Sequence, residues 1–203
     1  MMLTRATTLG QPVTVPKKPA AGAEAQVTDA LFVIGGFNGL KSVQNWAREL
    51  ERNSHGYAAT AYSWRHADSA KREIARLRAG KRVTLIGHSL GGGHAELLVQ
   101  QLPAGTIDTL ITVASFAPAT VNHDLTCRNV GYWLNIVSAP RKGSYQDTIR
   151  RFAAPILLNW REQGFIPNAS ENYVSEVPHH DFYKMMTDRC GAVEHGRFRS
   201  INL

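Results

Sequence analysis

The chain has 203 residues, 43% of them hydrophobic and 19% charged, the balance of a globular fold with a sizeable core. No apolar run reaches the roughly 18 residues of a membrane-spanning helix, and the start lacks the apolar stretch of a secretory signal, so a soluble, cytoplasmic protein is expected. The formal net charge of +7 favours an anionic partner, but the basic residues are scattered and no nucleic-acid-binding signature accompanies them. That leaves weak association with anionic membrane surfaces as the partner class suggested by charge, with no specific nucleic acid. Cys127 and Cys190 are too few for a disulfide scaffold, and with no CxxC or HExxH spacing no metal site is expected.

Residues 1–26 read as a flexible leader, with a Pro-rich stretch from Gln11 to Pro19 and an Ala/Gly tract after it. Residues 27–203 read as one domain. Ala30 to Ile34 is a short apolar strand ending in Gly35-Gly36-Phe37-Asn38-Gly39. A helix from about Lys41 to Arg52 follows, with Leu40, Val43, Ala47 and Leu50 at helical spacing. Tyr57 to Trp64 is the second strand and Asp68 to Ala79 a strongly charged helix. Its basic residues (Lys71, Arg72, Arg76, Arg78) fit a solvated face better than a binding patch.

Val83 to Ile86 is the third strand, and a helix runs on to Leu102. Asp108 to Ala114 is the fourth strand, broken at Ser115-Phe116-Ala117-Pro118 by the proline. Tyr132 to Val137 is the fifth, followed by a partly helical region from about Tyr145 to Trp160. Asn172 to Val177 is the sixth, and Phe182 to Thr187 forms a closing helix. Short, nearly continuously apolar strands alternating with helices predict an α/β fold with a mostly parallel open sheet of about six strands flanked by helices.

Between the third strand and its helix stands Gly87-His88-Ser89-Leu90-Gly91. A G-x-S-x-G sequence between strand and helix makes a sharp turn that lifts the serine hydroxyl clear of the backbone, above the helix N-terminus. Ser89 is therefore the candidate nucleophile. The Gly-rich αβ turn without catalysis is the plainer alternative, and a phosphate loop is disfavoured because no Lys-Ser/Thr follows. His88 is expected to pack beside the serine, and His94 to be structural.

A serine nucleophile needs a base, an orienting acid and two oxyanion donors. The base is sought in Pro178-His179-His180-Asp181-Phe182, between the last strand and the last helix. His179 is preferred, with Asp181 and Phe182 anchoring the loop behind it, and His180 is the alternate. For the acid, Asp147 is preferred and Asp124 is the alternate; either could instead be a helix cap. The oxyanion donors are assigned to the backbone N–H groups of Phe37 and Leu90.

Together these residues resemble the α/β-hydrolase superfamily, in particular its compact lipase/esterase-like members. The resemblance spans roughly residues 29 to 190. It rests on the elbow, on the Gly35-Gly36-Phe37 turn and on a histidine after the last strand. Val113 to Pro118 also looks like the segment that follows the elbow helix in lipase-type members. The resemblance implies cleavage of a small-molecule carboxylic ester through an acyl-enzyme on Ser89, without a cofactor. Thioesterase or amidase chemistry at the same site, and a non-catalytic scaffold, are the alternatives.

Two departures stand out. The family usually places its acid within a few residues of the strand before the histidine, and here Ser138-Ala139-Pro140-Arg141 carries no carboxylate. The chain also has no room for a large cap. Residues from about Tyr145 to Asn172 are the only lid candidates, with Phe152, Ile156, Leu157, Leu158, Trp160, Phe165 and Ile166 as an apolar face that serves equally well as core contacts.

Overall fold

The computed structural model describes residues 13–14, 29–36, 40–53, 57–77, 81–140 and 159–186. Its sheet begins in the middle. Strand β2 (Asp29–Gly35) is joined by α1 (Leu40–Asn53) to β3 (Tyr57–Ser63), which lies beside it on the outer side. The chain then crosses back through α2 (Ala67–Arg76) to β4 (Arg82–His88), on the other flank of β2. From there it winds outward through α3 (Leu90–Gln101), β5 (Ile107–Val113), β7 (Val130–Ser138) and β9 (Glu171–Ser175). The six strands run parallel in the order β3-β2-β4-β5-β7-β9, as the composition of the strands predicts. Strand β1 (Val13–Thr14), inside the stretch expected to be a leader, pairs antiparallel with β3 at the edge.

The central strands are mostly apolar because both faces are covered. Successive side chains of β2 go to opposite sides. Leu31 and Val33 join Val43, Trp46 and Ala47 of α1 and Phe182 and Met185 of the helical turn 182–186. Ala30, Phe32 and Ile34 join Ala70 and Ile74 of α2 and Leu98 and Val99 of α3. Winding reverses direction between β2 and β4, and the carboxyl ends of strands at such a switch point are the usual ligand position in these sheets. Gly35-Gly36 and Ser89 are therefore neighbours at that end.

Three further elements differ from expectation. Pro118 does not break the chain after β5. It ends a short strand, β6 (Phe116–Pro118), which pairs antiparallel with β8 (Trp160–Glu162) in a separate two-stranded ribbon, an edge position where proline is tolerated. Trp160, expected at the end of a helical region, is thus a strand residue; residues 141–158 of that region lie outside the described residues. Helix α4 (His123–Asn129) was not expected either. It buries only Thr126, so it shows no apolar stripe, and its one sequence signal is Asn122, whose side chain accepts the Leu125 N–H. Among the lid candidates, Ile166 is a core residue and Phe165 is 73% exposed. No described helix is long and apolar enough to cross a membrane.

Helices α3 and α4 are tied by a half-buried pair, Glu96 and His123. Glu96 is fully buried, and its Oε2 lies 3.0 Å from Nδ1 of His123. Burial pushes the Glu96 carboxyl up, while hydrogen bonding to that carboxylate raises His123 above its ordinary value of 6.5. A histidine with a raised folded pKa contributes stability that is complete below its unfolded value and lost as pH climbs through the folded one. Urea unfolding of wild type and His123→Gln should therefore differ most below pH 6.5, with the gap narrowing as pH rises. A gap that widens with pH would contradict the pairing.

The start of α3 packs directly on backbone. A Cβ on Gly91 would come 2.0 Å from the carbonyl oxygen of Ile34, and one on Gly87 would come 2.5 Å from that of Gly91. Main-chain atoms cannot rotate away as a side chain can. Gly91→Ala is expected to cost about 3 kcal/mol or more in urea unfolding, at or above the upper end of ordinary overpacking. A cost below about 1 kcal/mol would show that the helix can lift without penalty.

Candidate active site

Ser89 stands between the last residue of β4 and the first of α3. Its backbone lies at φ 58° and ψ −128°, a left-handed conformation that a residue with a Cβ adopts only under restraint. The restraints are visible. Its N–H donates to the carbonyl of Val113 at the end of β5 (3.0 Å), and its own carbonyl accepts from Gly92 and from Phe116 of β6 (both 3.0 Å). Gly36, at the end of β2, faces the side chain so closely that a Cβ there would be 2.8 Å from the serine Oγ. The turn is thus bonded to β5 and β6 and flanked by the end of β2, and the side chain remains partly exposed.

His179 reaches this hydroxyl from the far side of the sheet. Its Nε2 lies 3.0 Å from Ser89 Oγ, and the residue is 3% exposed. The loop that carries it is pinned where it leaves β9. Ser138 Oγ donates to the Val177 carbonyl (2.8 Å), Ala139 N–H to Ser175 (2.8 Å) and Val177 N–H to Ser175 Oγ (3.2 Å). Behind the histidine, Asp181 accepts the Lys184 N–H (3.1 Å). Phe182 is fully buried edge-on against Trp46, with ring centroids 5.7 Å apart. These are the anchors the sequence suggested for choosing His179 over its neighbour. His180 itself is exposed.

Leu90, one of the two expected oxyanion donors, is the first residue of α3, where an N–H has no partner within its own helix. Phe37, the other, lies outside the described residues, and so does Asp147. Asp124 sits in the first turn of α4 and accepts from the Asn168 side chain. It is held there to the chain just before β9, and no contact with His179 is seen.

The flanks of the site are aromatic. Phe116 sets its ring edge-on to His179, with centroids 5.3 Å apart, and Trp64 and Trp160 pack against Leu90 and Phe116. His94 lies between those two tryptophans, at 5.5 and 4.8 Å, and burial holds its imidazole below the ordinary range. That is the structural role expected of it. A separate cavity of about 280 Å3 opens beside β6 and β8, lined in part by Pro118, His123, Arg161, Gln163 and Phe165, and Ser89 is not in its wall. Among the described residues, no cluster of three His, Cys, Asp or Glu could hold a metal ion.

Sequence reasoning missed how the residue before the nucleophile is used. His88 is 3% exposed, and its Nε2 lies 2.9 Å from the carbonyl oxygen of His179. Its place inside the elbow was legible, but the residue it bonds, 91 positions away, was not.

The sequence matches no family model and no curated protein. Solved structures do resemble it. Esterase PE8 superposes with a TM-score of 0.53 at 11% identity, covering 91% of this chain and 97% of that one. A dienelactone hydrolase from Anabaena variabilis gives 0.51 at 14% identity, over 92% and 97%. A methylesterase from Arabidopsis gives 0.52 at 14% identity, over 83% and 99%. At such identities the likeness speaks for architecture: the chain has the α/β-hydrolase fold.

Proposed function

We propose that the protein is a serine hydrolase that cleaves small-molecule carboxylic esters. The observation that carries this reading is the 3.0 Å contact between Ser89 Oγ and His179 Nε2 on a strained strand-to-helix turn. A left-handed serine costs about 1–3 kcal/mol, and strain of this kind gathers at active sites. The printed names of the structural neighbours, an esterase, a methylesterase and a dienelactone hydrolase, are in keeping with ester chemistry.

The hydroxyl donates its hydrogen to Nε2, which accepts the proton as oxygen attacks the acyl carbon. The N–H groups of Leu90 and Phe37 stabilise the oxyanion, aided by the partial positive charge at the start of α3. His179 then gives the proton to the departing alcohol, forming the acyl-enzyme. Water attacks with the same imidazole as base, releasing the acid and restoring Ser89. Thioesters and amides fit the same sequence of steps, and the chemistry calls on no cofactor.

Asp147 is assigned as the acid that orients His179. Its place in the sequence supports it: Asp147 follows β7, whose last residue, Ser138, pairs with Ser175 of β9 and donates to the Val177 carbonyl of the His179 loop. Asp124 is tied to Asn168 instead.

With p-nitrophenyl acetate, Ser89→Ala is expected to lower kcat by about 10³-fold or more while circular dichroism stays native. Undiminished turnover would overturn the reading. Asp147→Asn should cost about 10²-fold or more, and Asp124→Asn less than about 3-fold. The reverse order would move the acid to Asp124. A series of p-nitrophenyl esters of increasing chain length, with a thioester of matched acyl group, then reads the substrate preference.

A further inference from the structure

A buried imidazole is costly unless its polar atoms are used, so a histidine filling a closed space invites a reason beyond its volume. His88 has one. It ends β4, adjoins the nucleophile in the chain, and places Nε2 2.9 Å from the main-chain oxygen of His179. A carbonyl oxygen only accepts, so the hydrogen must sit on Nε2 of His88.

The contact closes a ring. Ser89 is joined by a peptide bond to His88, His88 by its ring N–H to the backbone of His179, and His179 by its own Nε2 to the hydroxyl of Ser89. The two imidazoles lie 5.3 Å apart, and Phe182 packs against His88 at 5.2 Å. Ser138 fastens the loop at Val177 and Phe182 anchors it behind, so the main chain of His179 lies between two holds. The bond from His88 fixes the backbone from which the imidazole hangs.

We propose that His88 is a positioning residue: its Nε2–H holds the main chain of His179 so that the imidazole stays within reach of Ser89. The inference rests on the hydrolase reading above and adds a group that touches neither substrate nor reacting atoms. A displacement of the base by about 1 Å can cost on the order of 10²-fold in rate, which sets the scale of the effect.

The test uses three variants of the full chain. His88→Phe keeps the ring and removes the donor. His88→Gln places an amide N–H near the position of the imidazole Nε2, and His88→Asn stops short of it. With p-nitrophenyl acetate, well below each unfolding midpoint, His88→Phe is expected to lose about 10- to 100-fold in kcat with KM changed less than about 3-fold. His88→Gln should return to within about 5-fold of wild type, and His88→Asn should stay with the phenylalanine variant. If His88→Phe does not fold, the Gln and Asn variants still decide, being alike in polarity and different in reach. Equal kcat in those two overturns the proposal.

A second measurement is independent of turnover. Long-range proton–nitrogen NMR of the wild-type histidine rings at neutral pH should show His88 protonated at Nε2. Protonation at Nδ1 alone would exclude the bond and the proposal with it. Absence of ester turnover by wild type would count against the hydrolase reading, while the tautomer still tests His88.

Discussion

The main-chain turn at Ser89 is the constraint on which the rest of the molecule depends. A residue with a Cβ is held at φ 58° by the hydrogen bonds of its own backbone. Both polar groups of its backbone are bonded to neighbouring strands, and Gly36, Gly87 and Gly91 bring main chain within distances that no side chain would permit. The chain after β5 is strained in the same sense. Ala114 lies at φ 43° with its N–H donated to Ile136 (2.7 Å), and that bend returns Phe116 to the carbonyl of Ser89. The nucleophile's position is thus set by three parallel strands and a helix start, and little of it by the side chain itself.

The base depends on the opposite arrangement. His179 is carried by a loop, and a loop must be fastened before it can present an imidazole with any accuracy. Ser138 and Ser175 fasten it to the ends of β7 and β9, Phe182 sinks behind it against Trp46, and Phe116 closes over its ring. The rigid elbow and the fastened loop meet at two points, the hydroxyl of Ser89 and the imidazole of His88. The same strand end therefore carries the nucleophile and a hold on its partner.

Much of this was legible in the sequence where a local pattern expresses a global fact. β2, β4 and β5 read as strands because both faces are covered, so most positions are apolar, and the elbow reads because its glycines are enforced by close approach of main chain. Short elements were not legible. β6 and β8 have three residues each, too few for any period to show, and the seven-residue α4 buries only Thr126. His179 and His180 are adjacent, so spacing could not separate them; the tight turn marked by the Asp181 N–H to Pro178 carbonyl bond (3.0 Å) buries one and exposes the other. The acid was the least readable part. The position after β7 where the resemblance expects a carboxylate carries none, and Asp147 lies outside the described residues.

The central claim is that one hydroxyl, raised on a bend and hydrogen-bonded to one imidazole, is the reacting atom. The most direct measurement is intact-mass and peptide mapping of the folded protein after treatment with a fluorophosphonate, which traps only an activated serine. The account predicts a single adduct, located on Ser89 and lost when His179 is replaced by alanine. No adduct on well-folded protein, or an adduct on a different residue, would contradict it.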